Sequence, residues 1–350
     1  MTIASTHDAP QHGPRPLPLF LALLRSETAT SPERTRKALA GLRAYQEATR
    51  EPRPAAMPIV ARAGRAALRD YGGTGPAVLF VPSLINPPWV LDLAEDNSLL
   101  RWLAAQGVRP LLVDWGEPVA SERGLDVGGH VETMLLPLLD AVGERVSLAG
   151  YCLGGTMAIA AAALRPLRSL ALIAAPWRFG GFPEAARRGL SDLWDQALPA
   201  ADTLGMLPME ILQTAFWRLD PARTVGKYER FGTLDPDGDA ARAFVALEDW
   251  ANAGPPLTFA AARELIDDFF IADLPGRERW RIGGETILPA RIGCPVLDIV
   301  SATDRIVPAA SAAGIGETMT LAQGHVGMVV GSRARTTLWP KLAGWLSQPR

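Results

Sequence analysis

The chain has 350 residues, of which 48% are hydrophobic and 21% charged, and its formal net charge is −2 at pH 7. This composition is that of an ordinary globular protein and excludes disorder throughout, while the length predicts several domains or one large domain with an insertion. Lys and Arg are scattered rather than gathered in a basic stripe, which argues against a nucleic-acid partner.

Only two cysteines occur, Cys152 and Cys294, and so sparse a pair offers no disulfide framework. Such usage is typical of a reducing compartment. The apolar run 19–24 is too short to cross a membrane, and no His, Cys and carboxylate cluster has the spacing of metal ligands. We therefore expect a cytoplasmic protein without a membrane span or a bound metal.

The first predicted element is a helix that opens after Ser31, has a proline at its first position and runs to about Ala48. This helix belongs to an extension at the front of the chain. The first clear strand is the apolar run 77–81, which follows a glycine-rich segment and ends before Pro82. A buried central strand is the expected result.

From this strand onward, short apolar strands alternate with helices. Further strands are predicted at 110–114, 146–149 and 169–174, and helices at 98–106, 131–142 and 152–164. Alternation of this kind with short turns predicts a mainly parallel sheet that is covered on both faces. The predicted fold class is therefore α/β.

The pattern changes between residues 176 and 290, where Trp, Phe, Pro and Asp are frequent and several helices are predicted without buried strands. This segment is interpreted as an inserted helical cap. Alternation resumes with a strand at 296–300 and closes with a helix at 332–346. We therefore divide the chain into an N-terminal extension, 1–67, an α/β core, 68–176 and 291–350, and a helical cap, 177–290.

The segment 149–155, Ala-Gly-Tyr-Cys-Leu-Gly-Gly, follows an apolar strand and opens an Ala-rich helix. It has the G-x-C-x-G-G form of the nucleophile elbow of the α/β-hydrolase fold, with Cys in place of Ser. Gly150 and Gly154 give the clearance that so sharp a turn needs. Cys152 then lies at a helix N-terminus, where the dipole favours a thiolate. A buried structural thiol is the alternative, but the complete strand, turn and helix pattern favours a nucleophile.

A nucleophile of this kind needs a base, and histidine is scarce. His7 and His12 belong to the N-terminal start, which leaves His130 and His325. His325, in the segment 323–327, follows the last predicted strand and precedes the terminal helix, where this fold places its base. His130 directly precedes a predicted helix and is interpreted as a cap or surface residue.

The acid of the triad is expected after the strand at 296–300, and Asp304 occupies that position. The order Cys152, Asp304, His325 is the nucleophile, acid and histidine order of the α/β-hydrolase fold. Asp114 also ends a strand, but it precedes the nucleophile and is interpreted as a structural loop residue.

The oxyanion hole is expected to combine two backbone N–H groups. One belongs to Leu153, directly after the nucleophile, and the other to the loop 82–88, after the first core strand. Ile85 is the preferred second donor and Leu84 its alternative, because the two prolines of the loop have no N–H.

At these residues the chain resembles polyhydroxyalkanoate synthases, which carry a G-x-C-x-G-G elbow and an x-x-I/V-N loop followed by an aromatic residue and D-L. The similarity runs from about Leu68 to the C-terminus, with matching segments at 83–93, 95–99, 114–116, 294–296, 304–308 and 324–327. Segments 248–250, 267–270 and 282–284 resemble the short catalytic subunits of the two-component class. From the short helical front we expect a chain without the large N-terminal domain of the long synthases.

The resemblance implies an acyltransferase that polymerises 3-hydroxyacyl-coenzyme A into polyhydroxyalkanoate and releases coenzyme A. Cys152 would hold the growing chain as a thioester, His325 would deprotonate it, and Asp304 would orient His325 or help to activate the incoming hydroxyl group. Coenzyme A is then part of the substrate, and no separate cofactor is expected. The implied partners are a polyester chain or granule surface, a second synthase subunit and a second copy in a homodimer, in the cytoplasm at polyhydroxyalkanoate granules.

Two other functions remain open at this stage. Tyr151 and Leu153 stand where many short synthases have other residues, which leaves room for a thiol hydrolase of the same fold that cleaves polyester oligomers or small esters. An inactive protein that binds granules through an aromatic cap is the second alternative. The aromatic residues concerned, which we interpret mainly as cap core, are Trp177, Trp194, Trp217, Phe269 and Phe270.

Overall fold

The structure, a computed structural model, describes residues 12–143 and 146–348, so that His7 lies outside the described residues. Within them the strands are β1 (Ile59–Ala63), β2 (Ala66–Asp70), β3 (Ala77–Val81), β4 (Arg109–Asp114), β5 (Ser147–Tyr151), β6 (Ser169–Ile173), β7 (Met206–Leu207), β8 (Leu257–Thr258), β9 (Arg281–Ile282), β10 (Glu285–Thr286), β11 (Val296–Ser301) and β12 (Glu317–Leu321).

Eight of these described strands form one sheet in the order β1-β2-β4-β3-β5-β6-β11-β12. The pairs β1–β2 and β2–β4 are antiparallel, and every other pair in this sheet is parallel. The remaining four are two-residue strands that form the antiparallel pairs β7–β8 and β9–β10. The predicted α/β fold with a mainly parallel sheet is confirmed.

The helices of the described residues are α1 (Leu17–Glu27), α2 (Pro32–Glu47), α3 (Leu99–Ala105), α4 (Val127–His130), α5 (Leu136–Ala141), α6 (Leu153–Leu164), α7 (Glu184–Leu204), α8 (Met209–Leu219), α9 (Pro221–Phe231), α10 (Asp239–Ala251), α11 (Phe259–Arg263), α12 (Gly327–Val330) and α13 (Ala334–Leu346). Two π-helical segments, Val131–Leu135 and Glu264–Ile271, continue α4 and α11.

Serine caps explain where two of the predicted helices begin. The Ser31 hydroxyl accepts from the Arg34 N–H at 3.3 Å, and the Ser98 hydroxyl accepts from the Arg101 N–H at 3.1 Å. The helix predicted at 131–142 starts earlier, because the Asp126 carboxylate accepts from the Gly129 N–H at 2.6 Å and caps α4.

The central strands β5 and β6 are buried at every residue, as their continuous apolar runs predict. Each begins with a serine, and the two hydroxyls, Ser147 and Ser169, lie opposite each other and form a hydrogen bond of 2.8 Å. The two buried hydroxyl groups therefore satisfy each other's hydrogen bonding at the start of the strand that leads to Cys152.

Two edges of the sheet were not predicted from the sequence. The edge strands β1 and β12 each bury only their last residue, Ala63 and Leu321. Because strands with one covered side lack a continuous apolar run, the pattern that identifies central strands is absent from them.

The described residues cluster into two compact units, and one of them consists of helices from distant parts of the chain, 12–53 and 212–253. Gly41 in α2 lies so close to α9 that a Cβ there would be 1.8 Å from the Tyr228 carbonyl oxygen. The Tyr45 hydroxyl donates to Asp249 at 2.6 Å, and the Tyr228 hydroxyl donates to Glu248 at 2.9 Å. The N-terminal helices thus share one core with α9 and α10.

The other unit comprises 54–211 and 254–348 and contains the whole eight-stranded sheet. These units do not coincide with the domain limits predicted from the sequence. Residues 212–253 cluster with the N-terminal extension rather than with the rest of the predicted cap, because their aromatic side chains pack on α1 and α2. The sheet unit begins at 54 rather than 68, because the hairpin β1–β2 belongs to the sheet.

Candidate active site

Cys152 lies at the turn between β5 and α6, with φ 57° and ψ −132°. Its N–H donates to the Ile173 carbonyl at 3.0 Å, and its own carbonyl accepts from the Gly155 N–H at 2.8 Å. A positive φ at a residue with a side chain costs about 1–3 kcal/mol and persists only where the surroundings impose it. The elbow predicted from the sequence is therefore present, with a half-buried thiol at its tip.

The elbow glycines are required by close backbone contacts. A Cβ on Gly150 would lie 2.5 Å from the Gly155 Cα, and one on Gly154 would lie 2.0 Å from the Val81 carbonyl oxygen. A Cβ on Gly155 would lie 2.1 Å from the Ala175 Cβ. Since the strand and helix backbones meet here without space for a side chain, glycine is the residue that allows this turn.

His325 and Asp304 lie together, as predicted. The His325 Nδ1 is 2.7 Å from Asp304 Oδ2, and both side chains are largely buried. The second carboxylate oxygen, Oδ1, accepts from the backbone N–H groups of Ile306 at 2.8 Å and Val307 at 2.9 Å. These bonds fix the carboxylate, and the carboxylate in turn fixes the tautomer and direction of the imidazole.

The structure also places His325 within interaction range of Cys152, since the thiol contributes to the pKa of the imidazole. Because Nδ1 is directed to Asp304, Nε2 is the nitrogen left for a proton exchanged with the thiol. Burial by itself lowers the pKa of His325, but the charge of Cys152, the hydrogen bonds to Asp304 and Cys152 and the charge of Asp304 raise it to about 10. The arrangement favours the charged imidazolium at neutral pH.

Two further side chains, which the sequence analysis did not identify, join the loop that carries the acid to the loop that carries the histidine. The Ser301 hydroxyl donates to the Gln323 carbonyl at 2.6 Å, and the Thr303 hydroxyl donates to the Ala322 carbonyl at 2.8 Å. A Ser and a Thr just before the predicted acid are the only sequence signal of this link.

The two predicted oxyanion donors differ in their surroundings. Leu153 opens α6, where the first N–H groups of a helix have no intrahelical acceptor and remain available to a ligand. The Ile85 N–H instead donates to the buried Ser83 hydroxyl at 3.1 Å. Ile85 can serve as the second donor only when this bond is exchanged, so its role and the alternative of Leu84 stay predictions.

The two residues set aside by the sequence analysis have other partners. Asp114 accepts from the Arg69 guanidinium at 2.8 Å, which supports a structural role. His130 was interpreted as a cap or surface residue, but it is only 1% exposed, with Nδ1 2.6 Å from the Asp126 carbonyl oxygen and Nε2 2.6 Å from Arg65 Nη2. Since an arginine only donates, Nε2 accepts. Burial is the main cause that lowers the pKa of His130 to about 4, so the ring is neutral.

Among the described residues, no group of three or more His, Cys, Asp and Glu side chains is placed to hold a metal ion. In the same part of the chain, no helix combines the length and the apolar character needed to cross a membrane.

The fold is similar to those of known hydrolases. The monoacylglycerol lipase of Paleococcus ferrophilus superimposes with a TM-score of 0.50 and 16% identity over 81% of this chain and 98% of the lipase. A thermophilic esterase from Thermogutta terrifontis gives a TM-score of 0.50 and 16% identity over 82% of this chain and 99% of the esterase. The predicted α/β-hydrolase fold is confirmed, and identities this low show the fold alone.

Sequence relatives identify the family. The chain is 30% identical over 290 residues to the poly(3-hydroxyalkanoate) polymerase subunit PhaC of Allochromatium vinosum. This match covers 77% of this chain and 80% of that protein. The chain belongs to the poly(3-hydroxyalkanoate) polymerase family. The polymerase subunit of Synechocystis is 28% identical over 295 residues, with 77% of each chain covered.

Two other polymerase subunits match this chain over only part of their own length. That of Haloferax mediterranei is 28% identical over 287 residues, and that of Haloarcula marismortui is 27% identical over 287 residues. The matches cover 77% of this chain but only 58% and 60% of the two relatives, so the chain spans less than two thirds of their length. No protein-family model matches the chain.

Proposed function

We propose that this chain is the catalytic subunit of a polyhydroxyalkanoate synthase, which joins 3-hydroxyacyl groups from coenzyme A thioesters through a covalent thioester on Cys152. The observation that carries the proposal is the position of His325, whose Nδ1 lies 2.7 Å from Asp304 Oδ2 and whose pKa is raised by the charge of Cys152 at the elbow. Membership of the polymerase family supports polyester as the product.

In the first half-reaction, the Cys152 thiolate attacks the carbonyl carbon of a 3-hydroxyacyl-coenzyme A. The bond between that carbon and the coenzyme A sulfur breaks, and the new thioester forms on Cys152. The leaving thiolate takes the proton of the His325 imidazolium, so that coenzyme A departs as a neutral thiol. The Leu153 N–H is available for the negative charge that develops on the carbonyl oxygen.

In the second half-reaction, a hydroxyl group at the end of another acyl chain attacks the Cys152 thioester. His325 must now be neutral to accept the hydroxyl proton. Burial lowers its pKa and the thiolate charge raises it, and acylation removes that charge. His325 therefore changes from acid to base as Cys152 becomes acylated. The ester forms, and Cys152 leaves as a thiolate that the imidazolium stabilises again.

A thiol suits this cycle because exchange between two thioesters is nearly balanced in free energy, so the acyl group on Cys152 stays activated for transfer to an alcohol. Coenzyme A is substrate and product here, and we expect no other cofactor. A second synthase subunit, a homodimer and attachment to polyester granules in the cytoplasm are further predictions of this proposal.

The test is incubation of the purified protein with 3-hydroxybutyryl-coenzyme A, with and without a candidate second subunit. Released coenzyme A thiol and insoluble polymer are measured in parallel. We expect both to appear, and both to be lost in Cys152→Ala. The Cys294→Ala variant is the matched control and should keep both. Cys294 precedes the amino end of β11, whereas Cys152 follows the carboxyl end of β5, so the two cysteines lie at opposite ends of the parallel strands.

The outcome distinguishes the alternatives. Thiol release with only free hydroxy acid as the second product would contradict the synthase proposal and indicate a thiol hydrolase. Turnover that persists in Cys152→Ala would refute the mechanism. An inactive granule protein would release no thiol under any condition. Burial of Trp177, Trp194, Trp217 and Phe269 supports their interpretation as core rather than as a polymer-binding surface.

A further inference from the structure

Tyr151 is the last residue of β5 and directly precedes the nucleophile. Its ring stacks on the imidazole of His325, with 5.1 Å between the ring centroids and 23° between the planes. The side chain is buried, with 3% of the residue exposed. The residue that leads into the elbow thus covers one face of the histidine.

The ring of Tyr151 makes this contact, and its hydroxyl contributes little to it. The hydroxyl oxygen lies 3.5 Å from the His325 carbonyl oxygen, which is too long for a strong hydrogen bond. Burial, followed by the charges of Cys152 and Asp304, raises the pKa of Tyr151 well above its usual value. The hydroxyl therefore stays protonated and takes no part in proton transfer.

We propose that Tyr151 is a positioning residue, whose aromatic face holds the His325 ring between Asp304 and Cys152 and favours the charged imidazolium over the neutral ring. The titratable groups that interact with His325 are Asp304 at Nδ1, Tyr151 on the ring face, and Cys152, whose charge raises the pKa of the imidazole. An aromatic face attracts a cation most strongly where water is excluded, as it is here.

This inference rests on the proposed role of the triad and makes it more specific. A stabilised imidazolium also stabilises a negative charge beside it, so loss of the Tyr151 ring should make Cys152 less reactive as a nucleophile. The consequence is measurable without any acyl substrate. Alkylation by iodoacetamide reports the thiolate directly, because the thiolate and not the thiol reacts.

The experiment uses the Cys294→Ala background, in which Cys152 is the single cysteine of the chain. The rate of Cys152 alkylation is measured from pH 5 to 10 in the parent, Tyr151→Phe and Tyr151→Leu. At pH 7 we expect Tyr151→Leu to react about 3- to 30-fold more slowly than the parent, with its profile displaced to higher pH. Tyr151→Phe keeps the aromatic face and should restore the rate to within about twofold of the parent.

The matched control is Trp102→Leu, which removes an aromatic ring that packs on Trp339 in another part of the sheet unit. It should leave the pH profile of alkylation unchanged. If Tyr151→Leu folds poorly, replacement of Tyr151 by pentafluorophenylalanine keeps the shape of the ring and reverses its electrostatic character, and it should slow alkylation relative to Tyr151→Phe.

Two results would overturn the inference. One is a Tyr151→Leu profile that superimposes on the parent, and the other is an equal loss in Tyr151→Phe, which would assign the effect to the hydroxyl. Failure of the proposed function is distinguishable, because the protein would then form no polymer from 3-hydroxybutyryl-coenzyme A while the alkylation profiles still differed among the Tyr151 variants.

Discussion

The elbow around Cys152 and the loop 82–88 both follow the carboxyl ends of neighbouring strands, β5 and β3, yet they are prepared for catalysis to different degrees. At the elbow, backbone contacts fix the turn, and the imidazole of His325 is already bonded to Asp304. In the loop, the N–H of Ile85 is engaged with the Ser83 hydroxyl. The proposed nucleophile is therefore preorganised, whereas the proposed second oxyanion donor, Ile85, must first exchange its hydrogen bond to Ser83.

This difference has a mechanistic meaning. Electrostatic stabilisation is most effective where donors need no reorganisation at the moment of reaction. The Ser83 hydroxyl accepts a hydrogen bond from the Ile85 N–H and so satisfies this buried donor. A buried N–H without a partner would cost about 1–3 kcal/mol of stability. The loop is thus stabilised by a hydrogen bond that must break before Ile85 can donate to another group. The elbow, in contrast, holds Cys152 in place through a positive φ that costs stability.

The largest expected effect concerns the bond between Asp304 and His325 beside the elbow. Asp304→Asn leaves the shape of the side chain but removes the charge that holds the His325 tautomer, so we expect polymer formation to fall about 10³- to 10⁴-fold. Asp114→Asn, at a carboxylate paired with Arg69, is the matched control and should keep its activity. A loss in Asp304→Asn of less than about tenfold would contradict the assigned role.

The second test concerns the backbone of the elbow. Gly154→Ala places a Cβ against the Val81 carbonyl, where neither partner can move freely, and should lower the free energy of unfolding by about 3 kcal/mol. Gly344→Ala has open space around it in α13 and should raise this free energy by up to about 1 kcal/mol. Urea denaturation measures both, and equal stability of the two variants would be inconsistent with a crowded elbow.

The third test measures the pKa of His325 and its dependence on Cys152. Because the raised pKa of His325, about 10, depends on the Cys152 charge, Cys152→Ala should lower it, as histidine NMR titration can measure. Because the pKa of His325 is raised in the folded state, its contribution to stability is complete below the unfolded pKa of about 6.5. This contribution is lost as the pH rises through about 10. The stability that the raised pKa of His325 contributes to the native protein should therefore decline from about pH 6.5 toward pH 10. An unchanged His325 titration in Cys152→Ala would contradict the contribution of Cys152 to this pKa.

The smallest expected effect tests the loop. Ser83→Ala frees the Ile85 N–H at a cost of about 1 kcal/mol in stability, while kcat/KM should stay within about tenfold of the native value or rise. A rise would support Ile85 as the second oxyanion donor. A fall of more than about 100-fold would instead indicate that the Ser83 hydroxyl itself contacts the reacting group, and the assignment of Ile85 would be wrong.

Local motifs in the sequence predicted the nucleophile turn, the order of Cys152, Asp304 and His325, and the central strands. These features are encoded in short runs of residues, so a spacing or an apolar stretch is enough to find them. The bond between Ser83 and Ile85 was not predicted, because a serine in a loop has many possible acceptors and donors and the sequence does not show which one it selects.

Features that depend on distant residues were also missed. The link from Ser301 to the Gln323 carbonyl joins positions in two loops, and the core shared by Tyr45 and Tyr228 joins helices from distant parts of the chain. Burial of His130 belongs to the same class, since its partner Arg65 lies in the hairpin β1–β2 that was not predicted. A contact between residues that are distant in the chain leaves no periodic pattern in the sequence around either residue.

The close approach at Gly41 affects how the protein can be shortened. The part that resembles synthases begins only at about Leu68, which makes removal of the first helices an obvious simplification. Yet α2 covers Tyr228 and its neighbours, and α1 packs Phe20 against Trp217. A chain cut before the sheet would expose these aromatic surfaces to water, and we expect aggregation during expression rather than a smaller working enzyme.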